Sequence, residues 1–277
     1  MLCQHPTNMQ DKNKESEWFG DKKVKADDKA GLVGDVFASV ADNYDVMNDV
    51  MSGGIHRIWK NRFVRMVAPT AGNKILDVAG GTGDIAFRMH EKTAGRADIT
   101  VYDINAEMLR NGRDRAIDRG ILNGLTWTQG DAEKLPYPDN SFDIYTISFG
   151  LRNVTRIDDA LAEAFRVLKP GGRFFCLEFS KVQNPLLAGA YDVYSRAFIP
   201  RFGELIAKDG DSYAYLIESI RKFPPQKELA ARMQQVGFER VAYKNFSAGI
   251  AAVHSGYKLT QTKKDIEEKD ESSNPKA

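Results

Sequence analysis

"KILDVAGGTGDIA", Lys74 to Ala86, is the stretch on which the fold turns. A brief aliphatic run passes into glycines and then into a segment with helical periodicity, the pattern of a β-strand that turns sharply into a helix. Gly81 and Gly83 let the backbone turn tightly and come close to a ligand. Asp103 lies 20 residues after Gly83 and ends the next apolar run, where an acid can accept hydrogen bonds from the hydroxyls of a ribose. With Ala86 the glycines also satisfy the dinucleotide fingerprint, so the loop alone admits a nicotinamide cofactor or another nucleoside-bearing one. A purely structural turn is a third reading, which the position of Asp103 disfavours.

Outward from the loop, strand and helix alternate. "KILDVA", "DITVYDI", "LTWTQ", "FDIYTIS" and "RFFCLEF" are short and mostly β-branched or aromatic, as strands are. "NAEMLRNGRDRAIDRG" and "RIDDALAEAFRVL" carry apolar residues at helical spacing. The expectation is an α/β fold, a mainly parallel sheet with helices on both faces and its ligand beyond the carboxyl ends of the strands. The last two strands, "FERVAYKNF" and "IAAVHSGYKL", are joined by the short "SAG" and predict an antiparallel hairpin.

Composition sets limits on partners. The 277 residues include 39 basic and 38 acidic ones, a net charge of +1, so no global field recruits nucleic acid, and none is expected as a partner. Cys3 and Cys176 are too few for a disulfide framework, no metal-ligand spacing appears, and a reducing compartment is expected. No run reaches the roughly 18 apolar residues of a membrane span, so a soluble or peripheral protein is expected. Residues 1–30 read as a disordered N-terminal arm without the features of a targeting segment, and the charged tail 261–277 reads as disordered too. Between them, 31–260 form one domain, with a helical cap at 31–68 and an inserted substrate-side segment at 181–224.

Downstream features separate the cofactor classes. "QGDAEKLPYPDNSFDIYTIS" supplies an acid and a small residue after the third strand, and "VLKPGGRF" turns a helix into the fifth. This series, closed by a hairpin, resembles the Rossmann-like class I S-adenosylmethionine-dependent methyltransferases, with an NAD-dependent oxidoreductase as the rival. "YDVMNDVMSGGIHRIW", "DVAGGTGD", "ISFGLRNV" and "RVLKPGGRFFCLEFS", in this order, are similar to the UbiE/COQ5 family of ubiquinone and menaquinone biosynthesis C-methyltransferases. Ala79, where many methyltransferases have glycine, fits that family.

The resemblance implies a seven-stranded sheet, S-adenosyl-L-methionine as cofactor, and methyl transfer to a ring carbon of 2-methoxy-6-polyprenyl-1,4-benzoquinol. Demethylmenaquinol is the alternative substrate, and a non-catalytic scaffold of the quinone pathway the alternative role. Cofactor contacts carry over to Gly81, Thr82, Gly83, Asp103, Asp131, Ala132 and Ser148. Asp103 suits the ribose, Asp131 the adenine amino group, and Ala132 leaves room for the ring. Asp77 is a second candidate, for orienting the loop or meeting the methionine ammonium. Arg152 and Asn153, just beyond the fourth strand, are the expected catalytic residues, with Arg152 the partner of a developing phenolate.

On the substrate side the resemblance places Tyr44, Asp45, Asn48 and His56 in the cap, with His56 or a water on Asp45 as a candidate proton acceptor. No metal is expected. The implied partners are a lipophilic quinol, a membrane surface and other quinone-biosynthesis enzymes, and a homodimer stays open. The implied setting is the bacterial cytoplasm beside the inner membrane, with the matrix side of the mitochondrial inner membrane as the alternative.

Overall fold

The computed structural model describes residues 16–19, 22–25, 54–183 and 210–259, together with Asp49, Ser52 and Gly189. Strands β1 (Ser16–Phe19) and β2 (Lys22–Lys25) pair antiparallel, Trp18 opposite Lys23. This hairpin departs from the expected disordered arm: Trp18, Phe19 and Val24 favour strand, although the charges around them read as unstructured. Helix α1 (His56–Val67) follows and lies within the expected 31–68 cap. Tyr44, Asp45 and Asn48 lie outside the described residues, as does the tail beyond 259.

The strand runs then form as their alternation dictates: β3 (Lys74–Val78), β4 (Asp98–Asp103), β5 (Leu125–Gln129) and β6 (Phe142–Ser148). Helices α2 (Asp84–Lys92) and α3 (Ala106–Asp118) connect the first three, and α4 (Ile157–Val167) leads from β6 into β7 (Leu168–Phe179). Asn105 starts α3 by accepting hydrogen bonds from the backbone N–H groups of Glu107 and Met108 at 2.9 and 3.1 Å. Helices α5 (Gly210–Lys222) and α6 (Gln226–Val236) precede β8 (Glu239–Phe246) and β9 (Ala251–Tyr257).

Seven strands make one sheet in the order β5-β4-β3-β6-β7-β9-β8. Pairings are parallel from β5 to β7 and antiparallel at β9 and β8, as the short "SAG" connection requires. Between Phe142↔Leu168 and Ile144↔Arg173 the register shifts, which places the "KPGG" turn as a bulge inside β7.

Alternation along each strand sends side chains to two cores. Ile75, Val101, Ile144, Phe175 and Leu177 face α1, α2 and α3; Leu76, Tyr102, Tyr145, Phe174 and Cys176 face α4 and α6. Helix α1 contributes Trp59, Phe63, Val64 and Val67 at helical spacing, each worth roughly 1.5–3 kcal/mol of burial. Trp59 meets Phe179 edge-on at 6.1 Å between ring centroids, and its indole N–H donates to Ser247 Oγ at 3.0 Å. These contacts fix α1 over the carboxyl end of β7 and the hairpin turn, beside the site.

His254 on β9 is buried, and its Nε2 donates to the carbonyl of Gln226 at 3.0 Å, which ties the hairpin to the start of α6. Burial lowers its pKa to about 4. Above the ordinary value of 6.5 both folded and unfolded states hold it neutral, and stability from this group is fully present. As the pH falls from 6.5 to about 4 only the unfolded state gains the proton, and roughly 3 kcal/mol is lost. Denaturant unfolding of His254→Gln is therefore expected to depend less steeply on pH across that window than unfolding of the natural protein. An identical slope in both would show that His254 titrates normally.

Candidate active site

The sheet order reverses between β3 and β6, and a cleft of about 1100 Å3, open mouth included, lies beyond their carboxyl ends. Two left-handed turns shape it. Ala79 after β3 has φ 50°, Phe149 after β6 has φ 55°, and both line the cleft. Non-glycine residues rarely hold this conformation, which marks backbone kept under strain beside a ligand site. A Cβ added to Gly150 would fall 2.2 Å from the Ala79 methyl, so the two turns touch and only glycine fits at 150.

Gly81, Thr82, Asp103, Asp131, Ala132 and Ser148 all line this cleft, and Gly83 is the N-cap of α2 at its edge. Asp103 receives the backbone N–H of Gly81 at 2.9 Å on one oxygen and that of Asn105 at 2.8 Å on the other. Each oxygen keeps a lone pair for a further donor. Burial raises the Asp103 pKa, against the pull of these backbone N–H groups. Thr82 is held by Arg115, whose Nη1 donates to its hydroxyl at 2.9 Å. The "DAEKLP" turn is fixed by its own acids: Asp131 accepts from the Glu133 N–H, and Glu133 accepts from those of Thr155 and Arg156, each at 2.9 Å.

Asp77 does not line the cleft. It is fully buried, its Oδ1 accepts from Thr146 Oγ1 at 2.7 Å, and burial raises its pKa to about 7, with the like charges of Asp84 and Asp103 adding to the effect. Its Oδ2 is buried with no hydrogen-bond partner among the described residues.

Residues 22–258 match the ubiE/COQ5 methyltransferase family. The ubiquinone/menaquinone biosynthesis C-methyltransferase UbiE of Brucella abortus (strain S19) is 57% identical over 243 residues, 87% of this chain and 90% of that protein. The UbiE of Brucella anthropi is also 57% identical over 243 residues, 87% of this chain and 92% of that protein. This chain belongs to the ubiE/COQ5 methyltransferase family.

Among solved structures, a SAM-dependent methyltransferase from Thermotoga maritima matches with TM-score 0.55 at 19% identity, covering 81% of this chain and 98% of that one. One from Aquifex aeolicus matches with TM-score 0.51 at 16% identity, covering 72% and 89%. At these identities the likeness is one of fold. As a member of the family the chain is a methyltransferase that uses S-adenosylmethionine. Its cleft suits that cofactor: Asp103 keeps acceptor capacity for a ribose, and a Cβ on Gly81 would project into the cradle, 3.1 Å from Met108 Cε.

The expected catalytic pair divides. Asn153 lines the cleft, and Tyr215 of α5 donates its hydroxyl to Asn153 Oδ1 at 3.2 Å. Arg152 does not line it, which corrects the expectation of a side chain open in the crevice. Its side chain is 1% exposed, and Nη1 donates to Glu178 Oε1 at 2.7 Å and to the Phe149 carbonyl at 2.6 Å. A guanidinium this buried requires a carboxylate, and Glu178, itself raised in pKa by burial against the Arg152 charge, provides it. Arg152 Nε and Nη2 have no hydrogen-bond partner among the described residues.

His56 is not among the residues that line the cleft. Its Nε2 meets Asp49 Oδ1 at 2.7 Å, Arg57 holds the other Asp49 oxygen at 2.7 Å, and burial lowers the His56 pKa. The arrangement ties α1 to the segment before it.

Sequence reasoning missed Lys60, Phe149, Glu178 and Tyr215. Glu178 carried a signal: one acid inside the apolar "FFCLEF" must find a cation when the strand is buried. Lys60 carried one too, because helical periodicity puts it on the buried face with His56, Phe63 and Val64. Tyr215 lies 62 residues from its partner Asn153, and nothing local marks it. For the cofactor side, Asp103→Ala is expected to weaken binding of S-adenosylhomocysteine by about 1–3 kcal/mol, the worth of charge-assisted hydrogen bonds. Titration calorimetry measures it, and unchanged affinity in a folded variant would remove Asp103 from the site.

Proposed function

We propose that this chain methylates a ring carbon of a polyprenyl quinol, with 2-methoxy-6-polyprenyl-1,4-benzoquinol, a ubiquinone precursor, as the first reading. Demethylmenaquinol is the second, favoured by the double name of the Brucella relatives, which cites both pathways. The observation that carries the proposal is the pair of buried N–H donors on Arg152, Nε and Nη2, beside cleft-lining Asn153. Buried donors without partners are costly, and they are kept where charge develops during a reaction.

Bound S-adenosylmethionine supplies an electrophilic methyl group. The substrate must bring an electron-rich carbon, and a quinol does so when one hydroxyl loses its proton and the phenolate pushes density into the ring. Arg152, buried behind the cleft wall next to Asn153, stabilises that developing charge through its field and stays charged throughout. Glu178 and the Phe149 carbonyl fix the guanidinium so that little reorganisation accompanies the reaction. Asn153, oriented by Tyr215, positions the ring against the cofactor side of the cleft. Transfer would break the sulfur–methyl bond of the sulfonium, leave neutral S-adenosylhomocysteine and form a carbon–carbon bond, after which the ring carbon loses its proton to solvent and the ring regains aromaticity.

A polyprenyl chain partitions into a bilayer, while no helix among the described residues is long and apolar enough to cross one. The protein therefore works at a membrane surface, in bacteria at the cytoplasmic side of the inner membrane. The test of the chemistry is a labelled-methyl assay on a short-chain demethylquinol analogue, with and without dithionite. Label is expected on ring carbon, and only while the substrate is kept reduced. Equal turnover of the oxidised quinone, or label on oxygen, would overturn the proposal.

A further inference from the structure

Lys60 stands apart from the residues assigned so far. It lies on the buried face of α1, its side chain is 4% exposed, and it lines the cleft beside the glycine loop. Its Nζ meets Asp84 Oδ2 at 2.8 Å, the one partner it has among the described residues. An ammonium carries three donors, so this contact leaves capacity for another acceptor.

A tie between α1 and α2 is not enough to explain it. Asp84 already has Arg88 at 3.0 Å on its other oxygen, and Asn61 of α1 holds Arg88 in turn. The triad of Lys60, Asp84 and Arg88 carries one positive charge in excess; Arg88 is partly exposed outside the cleft, and Lys60 is the buried cation that faces into it. Burial alone would raise the Asp84 pKa, but the Lys60 and Arg88 charges hold it below the ordinary carboxylate value. The surplus sits where α2 begins, and no side chain caps that end of the helix.

We infer that Lys60 binds the carboxylate at the amino-acid end of the cofactor. This rests on S-adenosylmethionine as the cofactor and on Asp103 as the ribose end. Asp103 grips the loop at Gly81, and Lys60 grips it at Asp84. The stretch of backbone between those grips spans at most about 11 Å, within reach of a nucleoside that carries an amino-acid chain. Asp103 accepts from neutral hydroxyls at one end, Lys60 donates to an anion at the other, and the sulfur falls between them above the loop. With the carboxylate seated, the surplus charge of the triad is neutralised. Asp84 and the ligand carboxylate then compete for the same ammonium.

The test compares two ligands by calorimetry: S-adenosylhomocysteine, which has the carboxylate, and 5′-methylthioadenosine, which lacks the whole amino-acid end. The natural protein is expected to bind the first more tightly. Lys60→Met should weaken S-adenosylhomocysteine roughly tenfold or more, the worth of a charge-assisted hydrogen bond, while 5′-methylthioadenosine changes by less than about twofold. Lys60→Arg should restore most of the difference. Equal loss for both ligands, or no loss for either, would overturn the inference and leave Lys60 a structural tie.

If Lys60→Met does not fold, Asp84→Asn decides the matter. It frees Lys60 for the ligand carboxylate, so the preference for S-adenosylhomocysteine should rise, and an unchanged or smaller preference would overturn the inference. Failure of the natural protein to bind either ligand would instead indict the cofactor assignment.

Discussion

The contact between Ala79 and Gly150 is the constraint around which the site is arranged. After β3 the chain turns toward α2 and β4; after β6 it turns the other way, toward α4 and β7. Both turns use left-handed backbone, at Ala79 and at Phe149, and they are close enough that a methyl on Gly150 would overlap the one on Ala79. Because neighbouring strands diverge there, a crevice opens that no side chain of the sheet fills. The strain is offset by rigid surroundings: the Phe149 N–H donates to the Leu177 carbonyl at 2.8 Å, and the Phe149 ring packs against Phe179 at 4.9 Å.

The same turn delivers Arg152 to Glu178. Taking both charges out of water costs several kcal/mol per ion, and an apolar pair of similar volume would stabilise the fold as well or better. The pair is therefore explained by position more than by stability. It anchors the turn after β6 to the end of β7, and it orients a cation whose remaining donors have no partner among the described residues. The Arg152 charge also reaches Tyr215, whose pKa burial raises to about 12 while that charge pulls it down. At neutral pH the Tyr215 hydroxyl keeps its proton and can donate to Asn153.

What was legible in the sequence follows from how local each signal is. The strands and helices of the central sheet announce themselves by period, and the antiparallel ending by a connection too short for a crossover. Asp103 and Asp131 were readable because each sits at a fixed offset from a strand end, and the strand ends converge on one edge of the sheet. The position of Arg152 was readable but its burial was not. "FGLRNV" shows an arginine beyond a strand, whereas its partner lies 26 residues on, in the next strand. His56 stood out as a candidate proton acceptor for its residue type, while its contact with Asp49, seven residues earlier, and its place outside the cleft lining are set by packing that the residue type does not announce. The hairpin at 16–25 was hidden because charge composition reports on solvation and not on backbone pairing.

The division of charge in the cleft gives the site its direction. Asp103 and Asp131 lie on the β4 and β5 side, Lys60 across the loop on α1, and Arg152 behind the β6 turn, so no two of these groups answer the same need. On the proposed reading, neutral hydroxyls and an amino group would meet acids, a carboxylate would meet an ammonium, and a phenolate would lie in the field of a guanidinium already held by Glu178. The sulfonium needs no acid of its own, since its charge disappears as the methyl leaves, and an acid beside it would stabilise the ground state more than the transition state. The cleft wall nearest the β6 turn accordingly carries no acid: Phe149, Gly150 and Val154 give it apolar surface, and Ser148, Asn153 and Thr155 are neutral polar groups that do not oppose the loss of that charge.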